Sequence, residues 1–173
     1  KQENLLAVLQ RFHGLEGRQE RLPAVRGVHV INDTTATIPE ASIAALLRIH
    51  AQKKSAERII LIAGGHDKNL SFDAFAEAIT QYADEIILLP GSATEKLKMA
   101  LQKIAHHTTL KQKKNLPIAY EAPSMADACA EAVQRAGKGD WILLSCGAAS
   151  FGLFVNEFDR GGQFAKEMKK LSK

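Results

Sequence analysis

The sequence predicts an α/β fold: an open, mostly parallel sheet of about six strands, with one antiparallel edge and helices on both faces. Two observations predict it. Arg58-Ile-Ile-Leu-Ile-Ala63, Glu85-Ile-Ile-Leu-Leu89 and Trp141-Ile-Leu-Leu-Ser145 hold short unbroken apolar runs, as expected of strands buried on both faces. Segments with apolar residues at helical spacing lie between them, giving the βαβα alternation of a Rossmann-like architecture. With 173 residues, 46% of them hydrophobic, the chain is long enough for one domain with a full core.

Taken in order, Leu5, Leu6, Leu9 and Phe12 predict a helix over residues 3–13, ended by Gly14 as its C-cap. The chain starts almost inside that helix and without Met, which suggests a piece of a longer protein. A short strand is expected near 20–25. Gly27 turns it into a second strand carrying Val28, Val30 and Ile31, so the first two strands form an antiparallel pair. The polar run Asn32-Asp33-Thr34-Thr35-Ala36-Thr37 follows. Pro39 suits a first helical turn, with Thr37 or Ile38 near the N-cap, and Ile43, Leu46 and Ile49 carry the helix onward. The strand at 58–63 ends in Gly64-Gly65-His66-Asp67-Lys68-Asn69, before a helix from about Phe72 to Tyr82. The strand at 85–89 closes on Pro90-Gly91-Ser92, and a helix runs from about Thr94 to His106. Residues 107–116 are a polar linker with a basic tract at 111–114. Ile118-Ala-Tyr120 is a short strand. Ser124-Met-Ala-Asp127 has the form of a capping box and opens a helix to about Ala136. The strand at 141–145 runs into Cys146-Gly-Ala-Ala-Ser150-Phe151, and a closing helix after Gly162 reaches about Leu171.

In such sheets ligands bind beyond the carboxyl ends of the strands. Three of those ends are chemically rich: 32–37, 64–69 and 145–151. A strand that runs through a hydroxyl-bearing loop into a helix N-terminus suits an anion, because backbone N–H groups and the helix dipole point at it. Taken alone, the same loop reads first as an ordinary connection whose Asp and Thr cap the helix. Lys68 could hold a carboxylate or phosphate, or be a solvated turn residue. His66 reads as a hydrogen-bonded bystander. The loop at 145–150 is not a nucleophile elbow, and its small residues fit either a close backbone approach to a ligand or a tight turn. Asp159-Arg160-Gly161 reads as a structural pin. There is no dinucleotide fingerprint, no P-loop, no catalytic triad and no metal-ligand spacing.

Composition narrows the partners. The net charge of +4 is mild and spread along the chain, compatible with a small anionic ligand. No aromatic and basic interleaving speaks for nucleic acid. No apolar run approaches the roughly 20 residues that span a membrane. Cys129 and Cys146 lie in apolar contexts and read as reduced core thiols, which points to the cytoplasm.

Three motifs in this order carry a resemblance: N-D-T-T-A-T-x-P-E-A at 32–41, G-G-H-D-K at 64–68, and L-S-C-G-A-A-S-F with F-x-N-E-F-D-R-G at 144–161. The chain resembles the C-terminal domain of the Mur ligases, in their glutamate-adding branch, over 14–173. Residues 1–13 would then be a helix carried over from the junction with the preceding domain. The resemblance implies an ATP-dependent acid–amino-acid ligase of peptidoglycan precursor synthesis. ATP phosphorylates the carboxyl of UDP-MurNAc-L-alanine, and the glutamate amine attacks the acyl phosphate. It implies that Mg2+, most ATP contacts and the UDP site belong to central and N-terminal domains of the same chain. The piece alone is then inactive, and the protein is a cytoplasmic monomer. Position by position, Thr37, Lys68, Ser150 and Phe151 would hold the glutamate. Arg18 and Asp33 match positions that contact the ribose and phosphates of ATP, and Asn32, on the same loop, is grouped with them as nucleotide-binding. No catalytic or metal residue is assigned to this domain. Thr35 stands where many members have a lysine, His66 where an acid is common, and Glu157 where an aromatic often lies. D- and L-glutamate both stay open, as do a folylpolyglutamate synthase-like ligase and a non-catalytic anion- or nucleotide-binding domain.

Overall fold

The computed structural model describes residues 14–107 and 117–172. The predicted helix at 3–13 and the basic tract at 111–114 lie outside the described residues. Six strands form one sheet: β1 (Glu20–Val25), β2 (Val28–Asn32), β3 (Ile59–Gly64), β4 (Glu85–Leu89), β5 (Ile118–Glu121) and β6 (Trp141–Leu144). Their order is β1-β2-β6-β3-β4-β5. β1 and β2 are antiparallel and every other pair is parallel, as the apolar runs predict. Arg26 and Gly27, both at positive φ (51° and 82°), make the tight turn between β1 and β2.

Among the described residues, five helices cover the sheet: α1 (Pro39–Gln52), α2 (Asp73–Tyr82), α3 (Ser92–His107), α4 (Met125–Arg135) and α5 (Glu157–Leu171). Side chains alternate across a strand, so β3 feeds two cores. Ile59, Leu61 and Ala63 pack with Leu46 and Ile49 of α1, Phe75 and Ile79 of α2, and Leu97 of α3. Ile60 and Ile62 pack on the other face with Ala128 and Cys129 of α4, and Phe164 and Met168 of α5. A continuous apolar run is what two buried faces require.

The closing helix differs from the sequence expectation. It begins at Glu157, and Gly161 and Gly162 lie inside it. The Asn156 side chain accepts from the Asp159 N–H at 2.8 Å and fixes the start. Gly161 is there for space rather than for breaking the helix: a Cβ would sit 2.6 Å from Thr34 Cγ2. The predicted cap on α4 is present, with Ser124 Oγ accepting from the Asp127 N–H at 3.2 Å. Ile38 is the N-cap of α1 and supplies no side-chain bond, while Pro39 takes the first turn.

Charged groups at the amino ends of the strands are tied together. Arg58 Nη1 donates to Glu85 Oε1 at 2.8 Å, Nη2 donates to Asp140 Oδ2 at 2.9 Å, and its backbone N–H donates to Asp140 Oδ1 at 2.8 Å. The carboxyl ends are organised differently. Among the described residues, no helix is long and apolar enough to cross a membrane.

Candidate functional site

β6 lies between β2 and β3, so the three rich strand ends meet at the middle of one sheet edge. Backbone bonds stitch their loops together. Asp33 N–H donates to Leu144 O (2.8 Å), Gly147 N–H to Ala36 O (3.0 Å), and Gly64 N–H to Cys146 O (3.1 Å). His66 and Ala149 exchange two bonds, at 2.9 and 3.1 Å. The loop after β4 joins them, since Ala93 N–H donates to Gly65 O at 2.9 Å and Thr94 Oγ1 accepts from Gly65 N–H at 3.1 Å. Gly65 and Gly91, at φ of 136° and 149°, let two backbones meet here, because a Cβ on Gly91 would run into the Gly65 carbonyl.

Arg160 locks this assembly from below. Its side chain is fully buried, with Nε donating to Thr34 Oγ1 (3.1 Å), Nη2 to Thr34 O (2.6 Å) and Nη1 to Ala148 O (3.0 Å). It joins the first turn of α5 to the loops after β2 and β6. Thr34 Oγ1 also donates to Glu157 O at 2.6 Å. All three arginine bonds go to neutral oxygens, and no ion pair to Arg160 is found among the described residues.

Above the lock lies a cleft of about 210 Å³ lined by Thr37, Lys68, Ala149, Ser150, Phe151 and Glu157. The four residues expected to hold glutamate therefore border one space. Lys68 Nζ donates to Thr37 Oγ1 at 3.3 Å, and both come from loops that lead into helices. Ser150 is nearly buried, Phe151 is 59% exposed, and the ring of Phe151 meets His66 edge-on at 6.5 Å between centroids. Neighbouring polar groups are already engaged. The Asp67 carboxylate is paired with Lys96, whose hydrogen bond holds it below the usual carboxylate range. Thr35 Oγ1 donates to Gly17 O at 2.9 Å, so the residue at the lysine position fastens the loop to the segment before β1. His66 Nδ1 lies 3.5 Å from Ser92 Oγ, in keeping with a bystander.

The three residues grouped as nucleotide-binding sit together but do not line this cleft. Asn32 and Asp33 are 3% and 4% exposed. Asn32 Nδ2 donates to Glu20 Oε2 at 3.0 Å, and its Oδ1 accepts from Thr34 N–H at 3.3 Å. Asp33 Oδ1 accepts from Gln19 N–H at 3.0 Å, and Oδ2 accepts from Ser145 Oγ at 2.8 Å. Burial pushes the Asp33 carboxyl up, against the opposing pull of Ser145, Gln19, Arg18 and Arg48. Arg18 is exposed on the turn before β1. The resemblance sets Glu157 where an aromatic often lies against the glutamate, with no role for the carboxylate, and the sequence reads Arg160 as structural without a partner. The partners of both are distant in sequence, so no local signal could place them.

Larger hollows lie elsewhere, one of about 630 Å³ between α2 and α3 and one of about 400 Å³ beside β1 and α5. Neither gathers residues from several strand ends. Among the described residues no cluster of three or more His, Cys, Asp or Glu could hold a metal ion.

The family description "Mur ligase, glutamate ligase domain" matches residues 17–147. The UDP-N-acetylmuramoylalanine–D-glutamate ligase of Roseiflexus sp. (strain RS-1) is 37% identical over 170 residues, 98% of this chain and 34% of that protein. This chain thus spans about a third of the length of the curated relatives it matches. Among solved structures, a murein peptide ligase from Psychrobacter arcticus 273-4 has a TM-score of 0.65 at 19% identity, over 96% of this chain and 32% of that one. A bifunctional folylpolyglutamate synthase/dihydrofolate synthase from Yersinia pestis c092, complexed with AMPPNP and a Mn ion, has a TM-score of 0.52 at 18% identity, over 92% of this chain and 32% of that one. At these identities the two structures share the fold.

Proposed function

This chain belongs to the glutamate ligase domain family of the Mur ligases, and on that premise we propose that it is the glutamate-binding domain of a longer, cytoplasmic ligase that adds glutamate to UDP-MurNAc-L-alanine in peptidoglycan precursor synthesis. The observation that carries the reading is the meeting of Thr37, Lys68, Ser150 and Phe151 around one cleft at the carboxyl edge of the sheet. A dicarboxylate needs a cation and hydroxyl donors, and the cleft offers both. Lys68 and the Thr37 hydroxyl would take one carboxylate. The Ser150 hydroxyl would take the other, and Phe151 would close the apolar side against the ligand's methylenes. The name of the Roseiflexus relative supports D-glutamate over the L enantiomer.

Arg18, exposed beside the 32–35 loop, would reach a phosphate or ribose, with Asn32 and Asp33 holding that loop in place. In the complete protein, ATP with Mg2+ supplies the phosphoryl group that activates the acceptor carboxyl. The Mg2+ would be held by the central domain of the complete protein. The contribution of this domain is to orient the amine nucleophile and to place charge around it, with no covalent step on its own side chains. The 173-residue piece is accordingly expected to show no ligase turnover, and the complete protein to act as a monomer.

The test is phosphate release by the full-length protein with ATP, Mg2+ and UDP-MurNAc-L-alanine, given D- or L-glutamate in separate reactions. Release dependent on D-glutamate is the expected result. Release with L-glutamate alone would keep the mechanism and reassign the substrate. Silence with both, from a folded protein that still binds ATP, would overturn the reading in favour of a different acceptor or a non-catalytic binding domain.

A further inference from the structure

Glu157 is the charged residue of the cleft to which that reading gives no role. Its backbone is fixed, because its carbonyl accepts from Thr34 Oγ1 and Arg160, in the same helical turn, is bonded to Thr34 as well. Its side chain is half-buried in the cleft wall. The carboxylate has no hydrogen-bond or ion-pair partner among the described residues. Lys68, the ammonium on the same cleft, is bonded to Thr37 instead. The cleft thus presents two separate charged poles, a cation with a hydroxyl on the loops after β2 and β3, and an open carboxylate at the start of α5.

An open carboxylate facing a dicarboxylate ligand costs affinity unless the ligand sets a cation against it. An amino acid carries such a cation. We propose that Glu157 is a specificity-determining residue that binds the ammonium of the incoming amino acid, so that the cleft reads a carboxylate and an amine together. The proposal rests on the reading of this cleft as the glutamate site. It sets the direction of the ligand, with its carboxylates towards Lys68, Thr37 and Ser150 and its nitrogen towards the first turn of α5. It also explains how the cleft would reject dicarboxylates that lack an amine, which are chemically close to glutamate.

The experiment uses the full-length ligase and two probes that differ by the amino group alone. Glutamate is supplied as substrate, and glutarate is titrated as a competitor. Glu157→Gln keeps the shape and removes the charge. The expected result is a KM for glutamate raised about tenfold, the size of one charge-assisted hydrogen bond, with the inhibition constant of glutarate unchanged or lower. Glutarate inhibition measured on the same active variant shows that the cleft is intact, and Glu157→Asp should recover part of the loss in KM. An unchanged KM for glutamate in Glu157→Gln, or tighter binding of both probes, would overturn the proposal. Lys68→Ala separates the two levels. It is expected to weaken both probes, and if it does so while Glu157→Gln leaves glutamate unaffected, the cleft is the glutamate site and Glu157 has no part in it. If Lys68→Ala moves neither probe, the reading of the cleft falls and this proposal with it.

Discussion

Lys68 meets the cleft with its ammonium held by a neutral hydroxyl, whereas the neighbouring Asp67 is tied to Lys96. A lysine so lightly engaged is available to a ligand, and Lys68→Ala should weaken glutamate binding without lowering the melting temperature. Arg160 is the opposite case. Replacing it with Met would strip the carbonyls of Thr34 and Ala148 of their donor inside the protein. Each buried orphan costs about 1–3 kcal/mol, so a loss on the order of 3 kcal/mol is expected in urea unfolding of Arg160→Met. A loss below about 1 kcal/mol would mean that the loops hold without the lock. Asp33 makes a pH-dependent prediction. Its folded-state value is raised by burial, so the folded protein binds this proton more tightly than the unfolded chain does. Its stabilising contribution is therefore present below the unfolded carboxylate value, about 4, and is lost as pH rises through the folded value. Asp33→Asn should gain stability relative to the parent as pH climbs through that window. A gap that instead grows in favour of the parent would show that Ser145 and Gln19 outweigh the cost of burial. The thiols are quieter. Burial pushes Cys129 up to about 12 and raises Cys146 as well, so neither should react with a thiol reagent at pH 8 until the chain is unfolded.

At the level of elements, the runs 59–63, 85–89 and 141–144 were legible to within a residue, because two buried faces leave these runs apolar except for Glu85 at the start of β4. The start of α5 was not legible. Gly161-Gly162 looks like a break, and only the closeness of Thr34, 127 positions away in the chain, explains why glycine sits in a helix there. The polar loops after β2, β3 and β6 announced a site in the sequence. Their pairings did not show, since Lys68 meets Thr37 and Arg160 meets Thr34 only once the sheet is formed. The same distinction separates two substitutions. Ser124→Ala removes a local cap and should cost about 1 kcal/mol. Gly91→Ala faces both a positive φ and the Gly65 carbonyl. It should cost more, about 1–3 kcal/mol, and should also displace the loop that follows β3, raising the KM for glutamate. An unaltered KM in a folded Gly91→Ala variant would show that the cleft does not depend on that contact.

Across the whole molecule, polarity is divided by function. At the amino ends of the strands Arg58, Glu85 and Asp140 satisfy one another, while at the carboxyl ends Lys68 and Glu157 keep charge in reserve. Both arrangements depend on β6, which sits between β2 and β3 in space although it comes last of the strands in the chain. That placement governs how the protein is born. β2 and β3 have no direct pairing, and they are joined only when residues 141–144 slide between them. Roughly 80 residues separate Gly64 from Leu144, so a ribosome working at about 5–20 residues per second leaves two unfinished half-sheets waiting for on the order of 4–16 s. Until then both carry open apolar edges, the kind of surface that chaperones hold and that aggregates when they do not. In nascent chains stalled shortly after residue 140, residues 14–140 should therefore remain protease-sensitive, and in those stalled after α5 has cleared the exit tunnel this domain should become resistant in a single step.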